Sequence, residues 1–161
     1  MFIRLLELVT RITTIVSAAI IGLLAFPVAF DAISRSLRMP TIWVFDVSLY
    51  LLIAAGFLGS AYALSAGSHF RMVIFVDMGG RHVRKWVDRL VYAVTFAFAV
   101  MMTWLTAGYA FNNYAAGFTS GTMLDAPLWI PQATMPIGAA ALALEALRSL
   151  ILDDFADVTE V

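Results

Sequence analysis

The chain has no cysteine and only two histidines in 161 residues. Without thiols there is no disulfide, thiolate nucleophile, Cys-ligated zinc or iron–sulfur cluster, which excludes the thiol redox enzymes. Charge is scarce as well: Asp, Glu, Lys and Arg make up 13% of the residues, against about 25% in an average soluble domain. Ten bases stand against eleven acids, a net charge of -1. No basic surface is therefore available for contact with nucleic acid. There is no low-complexity run, the ten glycines and five prolines being dispersed, which argues against a disordered or collagen-like chain. What is abundant is apolar: 62% of residues are hydrophobic and the mean hydropathy is +0.91. That composition is an integral membrane protein's, and the length allows one membrane domain, residues 1–161.

Charge-free runs locate the spans, because a bilayer needs about 20 apolar residues per helix and a charge at its centre costs about 2.5–3.5 kcal/mol or more. The runs are Ile12 to Phe30 (19 residues), Val47 to Ser68 (22) and Leu90 to Leu124 (35). The last is too long for one helix. Its break is expected in Asn112-Asn113-Tyr114-Ala115-Ala116-Gly117-Phe118-Thr119-Ser120-Gly121, where paired amides and two glycines stop helix 3. A fourth helix follows from Trp129 through Pro136 towards Leu152. The reading is an all-α integral membrane protein with four transmembrane helices, at approximately 12–34, 43–66, 88–111 and 128–151. The first run exceeds the ~7–15 residue core of a secretory signal, so a retained helix is expected there.

Lys and Arg orient the spans, since short positively charged loops stay cytoplasmic. Arg4 and Arg11 precede helix 1, Arg71, Arg81, Arg84, Lys85 and Arg89 lie between helices 2 and 3, and Arg148 ends helix 4. Only Arg35 and Arg38 fall on the other side. Both termini are expected in the cytoplasm, with Trp43 and Trp129 at the outer interface and Trp86 at the inner one.

Within the spans, the ionisable groups that pumps, proton relays and channels require are missing. Asp31 and Arg35, spaced i,i+4, are set to pair at the end of helix 1, Asp46 begins helix 2, and Glu145 and Arg148 occupy the last turns of helix 4. These end charges are read as interfacial anchors. His69 and His82 have no carboxylate cluster or HxxxH spacing around them, so neither a metal site nor a catalytic one is expected, and no cofactor. Helix 2 carries small residues at i,i+4, Ala55, Gly59, Ala63 and Gly67. In lipid such a stripe marks a close helix–helix contact, either inside the chain's own bundle or with a partner. Between helices 2 and 3, Val83, Trp86, Val87 and Leu90 follow helical spacing among Arg84, Lys85, Asp88 and Arg89. This reads as an interfacial amphipathic segment, with Arg81, Arg84, Lys85, Trp86, Arg89 and, on the far side, Trp129 as anchors to phospholipid.

Several ordered landmarks carry a family resemblance. Ile33-Ser34-Arg35 follows helix 1; Ile42-Trp43-Val44-Phe45-Asp46 heads helix 2, which continues through Gly56-Phe57-Leu58-Gly59-Ser60-Ala61-Tyr62-Ala63. Gly67-Ser68-His69-Phe70-Arg71 then leads to Val76-Asp77, and Pro127-Leu128-Trp129-Ile130-Pro131 and Met135-Pro136-Ile137-Gly138 mark helix 4. Over roughly residues 20–150 the chain resembles the small DctQ-like membrane subunit of tripartite ATP-independent periplasmic (TRAP) transporters. The resemblance singles out Arg35, Trp43, Asp46, His69, Asp77 and Pro136 as family-motif positions. It implies a bacterial inner-membrane accessory subunit without enzymatic activity. Its partners would be a large permease subunit, which performs sodium-coupled uptake of an organic acid, and a periplasmic substrate-binding protein. Two alternatives stand beside it: the small subunit of a tripartite tricarboxylate transporter, and a stand-alone homo-oligomer with a site at its interfaces.

Overall fold

The structure, a computed structural model, describes residues 2–39, 41–66, 80–122 and 124–152. Four helices carry it: α1 (Phe2–Ser36), α2 (Trp43–Ser65), α3 (Gly80–Ala116) and α4 (Trp129–Leu152). Each contains a stretch long and apolar enough to cross a membrane, namely Leu6–Ser36, Trp43–Ser65, Trp86–Ala116 and Trp129–Leu152. The chain is a multi-pass membrane protein. Among the described residues the extended backbone amounts to an isolated antiparallel bridge between Thr119 and Pro127.

Local chemistry sets the helix ends. At the close of α1, the Met39 N–H donates to the Ser34 carbonyl at 2.9 Å and the Arg38 N–H to that of Arg35 at 3.0 Å, with Arg38 left-handed at φ 60. This is a Schellman cap, formed on a residue that lacks glycine's freedom. At the close of α3, Phe118 bonds back to Asn113 and Gly117 to Tyr114, with Gly117 at φ 66. The break falls within the expected stretch 112–121, at Gly117, one of its two glycines, while Asn112 and Asn113 lie inside the helix and do not stop it. An amide disfavours a helix chiefly by competing for backbone hydrogen bonds, and Asn113 donates instead to the Gln132 side chain at 2.8 Å. In α4, Pro131 sits in the first turn, where a backbone N–H has no helical partner to lose, while Pro136 lies further inside.

The helices alternate in direction, which creates two ends. The start of α1, the end of α2, the start of α3 and the end of α4 share what is called here the terminal end, and the α1–α2 and α3–α4 connections share the loop end. Helix α4 packs along α3 and α2, α2 packs along α1, and α4 also touches α1. Among the described residues, the backbones of α2 and α3 do not approach one another. They flank a cleft of about 370 Å³ between Leu52, Gly56 and Phe57 on one side and Phe98 and Met102 on the other, floored by Ala139. Leu64, Tyr92 and Ala146 meet at its terminal end.

Small side chains dominate the interior: Ala54, Ala55, Ala61, Ala99, Ala139, Ala141, Ala143 and Ala146 are all buried. Lipid tails are as apolar as leucine, so helix association in a bilayer comes from close van der Waals packing and interhelical hydrogen bonds. The tightest approach is at Gly138, where an added Cβ would run into the backbone of Phe57. At Gly59 an added Cβ would meet Ser17 Oγ at 2.8 Å.

Candidate functional site

A row of hydroxyls on α1 organises the terminal end. Thr10, Thr13 and Ser17 follow i, i+3, i+7 spacing and are buried, so one face of an otherwise apolar helix is polar and turns inward. Ser17 donates to the Ala55 carbonyl at 2.8 Å, joining α1 to α2. Thr10 donates to Glu145 Oε2 at 2.7 Å, joining α1 to α4. Glu145 is 1% exposed, although it stands seven residues before the end of α4, about 10 Å along the axis. Its other oxygen takes Arg148 Nη1 at 2.9 Å, and Arg148 Nη2 reaches Glu7 at 3.3 Å. A carboxylate at that depth is tolerable because a hydroxyl and a guanidinium satisfy it. The expected interfacial anchor is instead an internal clamp.

A second polar constellation occupies the loop end. Asp46, 2% exposed, accepts a hydrogen bond from Thr122 of the α3–α4 loop. Ser120 N–H donates to the Ala126 carbonyl at 2.8 Å, and Leu128 N–H to that of Phe118 at 3.2 Å, which folds the loop back on itself. The Tyr50 hydroxyl reaches the Ala126 carbonyl at 3.4 Å. Below the loop lies the buried Asn113–Gln132 pair. Beside it, Tyr114 and Trp129 stack edge-on with centroids 5.5 Å apart. Across this end Asp31 pairs with Arg35 at 2.6 Å and accepts from Thr41, fastening the α1–α2 connection. The two loops are thus held by carboxylates rooted in helices.

The residues singled out from the sequence distribute as follows. Ala55 is buried and Gly59 and Ala63 are half-buried, with Ala55 and Gly59 turned towards Ser17 of α1. Gly67, His69 and Asp77 lie outside the described residues. Trp43 meets Phe30 with ring centroids 6.0 Å apart. Pro136 is half-buried within α4. Arg81, Arg84 and Lys85 lie in the opening turns of α3, continuous with the span rather than a separate element. Further along that helix Trp86 and Leu90 face outward while Asp88 is buried. Thr10, Asn113, Gln132 and Gly138 carry contacts that the sequence reading did not single out, and the hydroxyl spacing in α1 was the legible signal for the first. Among the described residues no three His, Asp or Glu gather as metal ligands.

A four-span chain with polar clamps at both ends and an alanine-rich interior is open to comparison with known families. The model for the family described as tripartite ATP-independent periplasmic transporters, DctQ component, matches residues 24–155. The chain belongs to that family. The match covers α2, α3 and α4 and the last third of α1, from residue 24. It selects between the two accessory-subunit families considered from the sequence. DctQ is a family of transporter components and not of enzymes. No curated protein matches the chain.

Proposed function

We propose that this DctQ component is the small accessory subunit of a TRAP transporter in the bacterial inner membrane. The whole chain acts as one membrane domain with both termini cytoplasmic. It packs against the static part of a large permease subunit that performs sodium-coupled uptake of an organic acid. A periplasmic binding protein delivers the solute, and the loop end, on the periplasmic side by the distribution of bases, borders the place where it docks.

The family match carries this reading. The distribution of charge supports it: the buried acids Asp46, Glu145 and Asp88 lie near helix ends, and the section between them is lined mainly by alanine, its buried Ser17 hydroxyl being spent on the Ala55 carbonyl. A conduction path needs polar groups in that section. What the chain offers in mid-membrane is packing surface. Because Ala55 and Gly59 already receive α1, the partner face moves from that stripe to the α2–α3 cleft. Nothing lies within 4 Å of an added Cβ at Gly56, so a foreign helix backbone can approach there.

The test is to express the tagged chain with the genes neighbouring its own, extract it in mild detergent, and determine the mass of what co-purifies. A stoichiometric complex with a large permease is expected, and Gly56→Leu should lower its yield without unfolding the isolated chain. A folded homo-oligomer without a permease would sink the accessory-subunit reading.

A further inference from the structure

The terminal end holds a cavity of about 440 Å³ whose walls are Glu7, Thr10, Arg11, Thr14 and Ile15 of α1, Tyr62 and Ser65 of α2, and Glu145 and Arg148 of α4. Its volume falls in the range of about 300–1,000 Å³ typical of small-molecule sites. We propose that it binds the headgroup of a phospholipid with a primary ammonium, phosphatidylethanolamine being the simplest, with the phosphate on Arg11 and the ammonium on Glu7.

Depth is the first argument. Arg11 immediately precedes the charge-free run of α1, Ser65 is the last residue of α2, and Arg148 lies in the final turns of α4. In a spanning chain these positions meet at the level of the headgroups. Ile15 and Tyr62, 59% and 54% exposed, continue the wall one turn towards the hydrocarbon. They give an acyl chain an apolar edge to follow.

Charge selects the headgroup. Two carboxylates, Glu7 and Glu145, face two guanidinium groups, Arg11 and Arg148, so the cavity is neutral as a whole while its sites are not. Arg148 is engaged by Glu145 and Glu7. Arg11 is exposed, and among the described residues it takes part in none of the ion pairs. A guanidinium in that position matches a phosphodiester's paired oxygens. Glu7 is 54% exposed and holds Arg148 only at 3.3 Å, leaving acceptor capacity for an ammonium. Phosphatidylglycerol would give Arg11 the same phosphate, but its neutral glycerol brings no positive charge to Glu7. A choline headgroup has the charge but no N–H to donate. A primary ammonium next to a phosphate satisfies both walls.

The inference rests on the spanning helices and not on the accessory-subunit reading, so it is tested on the full chain without partners. The purified protein is delipidated in detergent and titrated with phosphatidylethanolamine, phosphatidylglycerol or phosphatidylcholine of matched acyl chains. Retained lipid is counted by native mass spectrometry. Phosphatidylethanolamine should be retained about tenfold better than the other two, the size of one charge-assisted hydrogen bond. Arg11→Gln should lower retention of all three. Glu7→Gln should bring phosphatidylethanolamine down to the phosphatidylcholine level, and Arg38→Gln, at the loop end, should change nothing. Equal retention of phosphatidylglycerol, unchanged selectivity in a folded Glu7→Gln chain, or unchanged retention in a folded Arg11→Gln chain would overturn the proposal.

Discussion

Gly138 is the point where the packing of this bundle is most open to measurement. Replacing it with alanine places a Cβ against the carbonyl group of Phe57, and 2.8 Å from the Phe57 Cβ. Ordinary carbon contacts lie at about 3.5–4.0 Å, so clearing the Phe57 Cβ alone separates α2 and α4 by roughly 0.7–1.2 Å at that level, and the nearer carbonyl group demands more. Such a gap forfeits about a quarter to a half of the dispersion energy of the affected pairs, and the obstacle is backbone, which no side-chain rotation relieves. Overpacking costs typically about 1–3 kcal/mol, here near the upper end, while losing a helix glycine returns at most about 1 kcal/mol. The expected net destabilisation for Gly138→Ala is about 1–2 kcal/mol. Gly56→Ala is the matched control, since nothing lies within 4 Å of its added Cβ, and it should be neutral or slightly stabilising. Unfolding titration of each variant in mixed micelles, followed by tryptophan fluorescence, separates the two. If Gly138→Ala is as stable as Gly56→Ala, the close α2–α4 approach is not what holds these helices together.

Three other outcomes follow from the buried polar groups. Glu145→Ala leaves the Arg148 guanidinium without the carboxylate at 2.9 Å and should cost about 3–5 kcal/mol; Glu145→Ala with Arg148→Ala should cost less than the sum of the single changes, which a double-mutant cycle in the same titration reads directly. Asn113→Leu strands the buried Gln132 amide and should cost about 1–3 kcal/mol, whereas Asn113→Leu with Gln132→Leu should recover most of that; an equally unstable double variant would show that the amides do more than satisfy each other. Thr122→Val removes the hydrogen bond to Asp46 and should speed proteolysis of the 117–128 loop severalfold, with unchanged cleavage counting against a role for Asp46 in holding it.

Hydropathy located the spans because it measures what the bilayer selects, but it does not see where a helix stops. Around residue 34 and residue 12, expected as the limits of the first span, the charges Arg35 and Arg11 mark the edge of the hydrocarbon; the helix continues from Phe2 to Ser36 because its backbone bonds are internal and indifferent to that edge. Within the stretch where the third helix was expected to stop, Gly117 ends it and the Asn112-Asn113 pair does not, for a related reason. The pair's breaking tendency is measured in water, and Gln132, 19 residues away, removes the competition. Among the charges, Asp31 and Arg35 were legible as a pair because their partners are local. Glu145 was not, since its burial depends on Thr10, 135 residues away. The small stripe of α2 was visible as a pattern, while Gly138, a lone glycine, carried no pattern to announce the Phe57 backbone opposite.

The arrangement of polar and small residues also bears on what an accessory subunit needs to be. Polar contacts at each end tie elements that the alanine interior alone would hold weakly: Thr10, Glu145 and Arg148 at one end, Asp46 and Thr122 at the other. Between them only 11% of the apolar windows of α1 and α3 is buried, so most of their surface remains for lipid or another subunit. The proposed role, lending a fixed outline to a moving transporter, gains from this division. Its helices are tied where loops and headgroups would otherwise let them splay, while its mid-membrane faces stay apolar and available. On this account, loosening an end clamp should disturb the outline of the whole subunit and weaken assembly from a distance, whereas a change in the α2–α3 cleft should weaken assembly while the isolated chain remains folded.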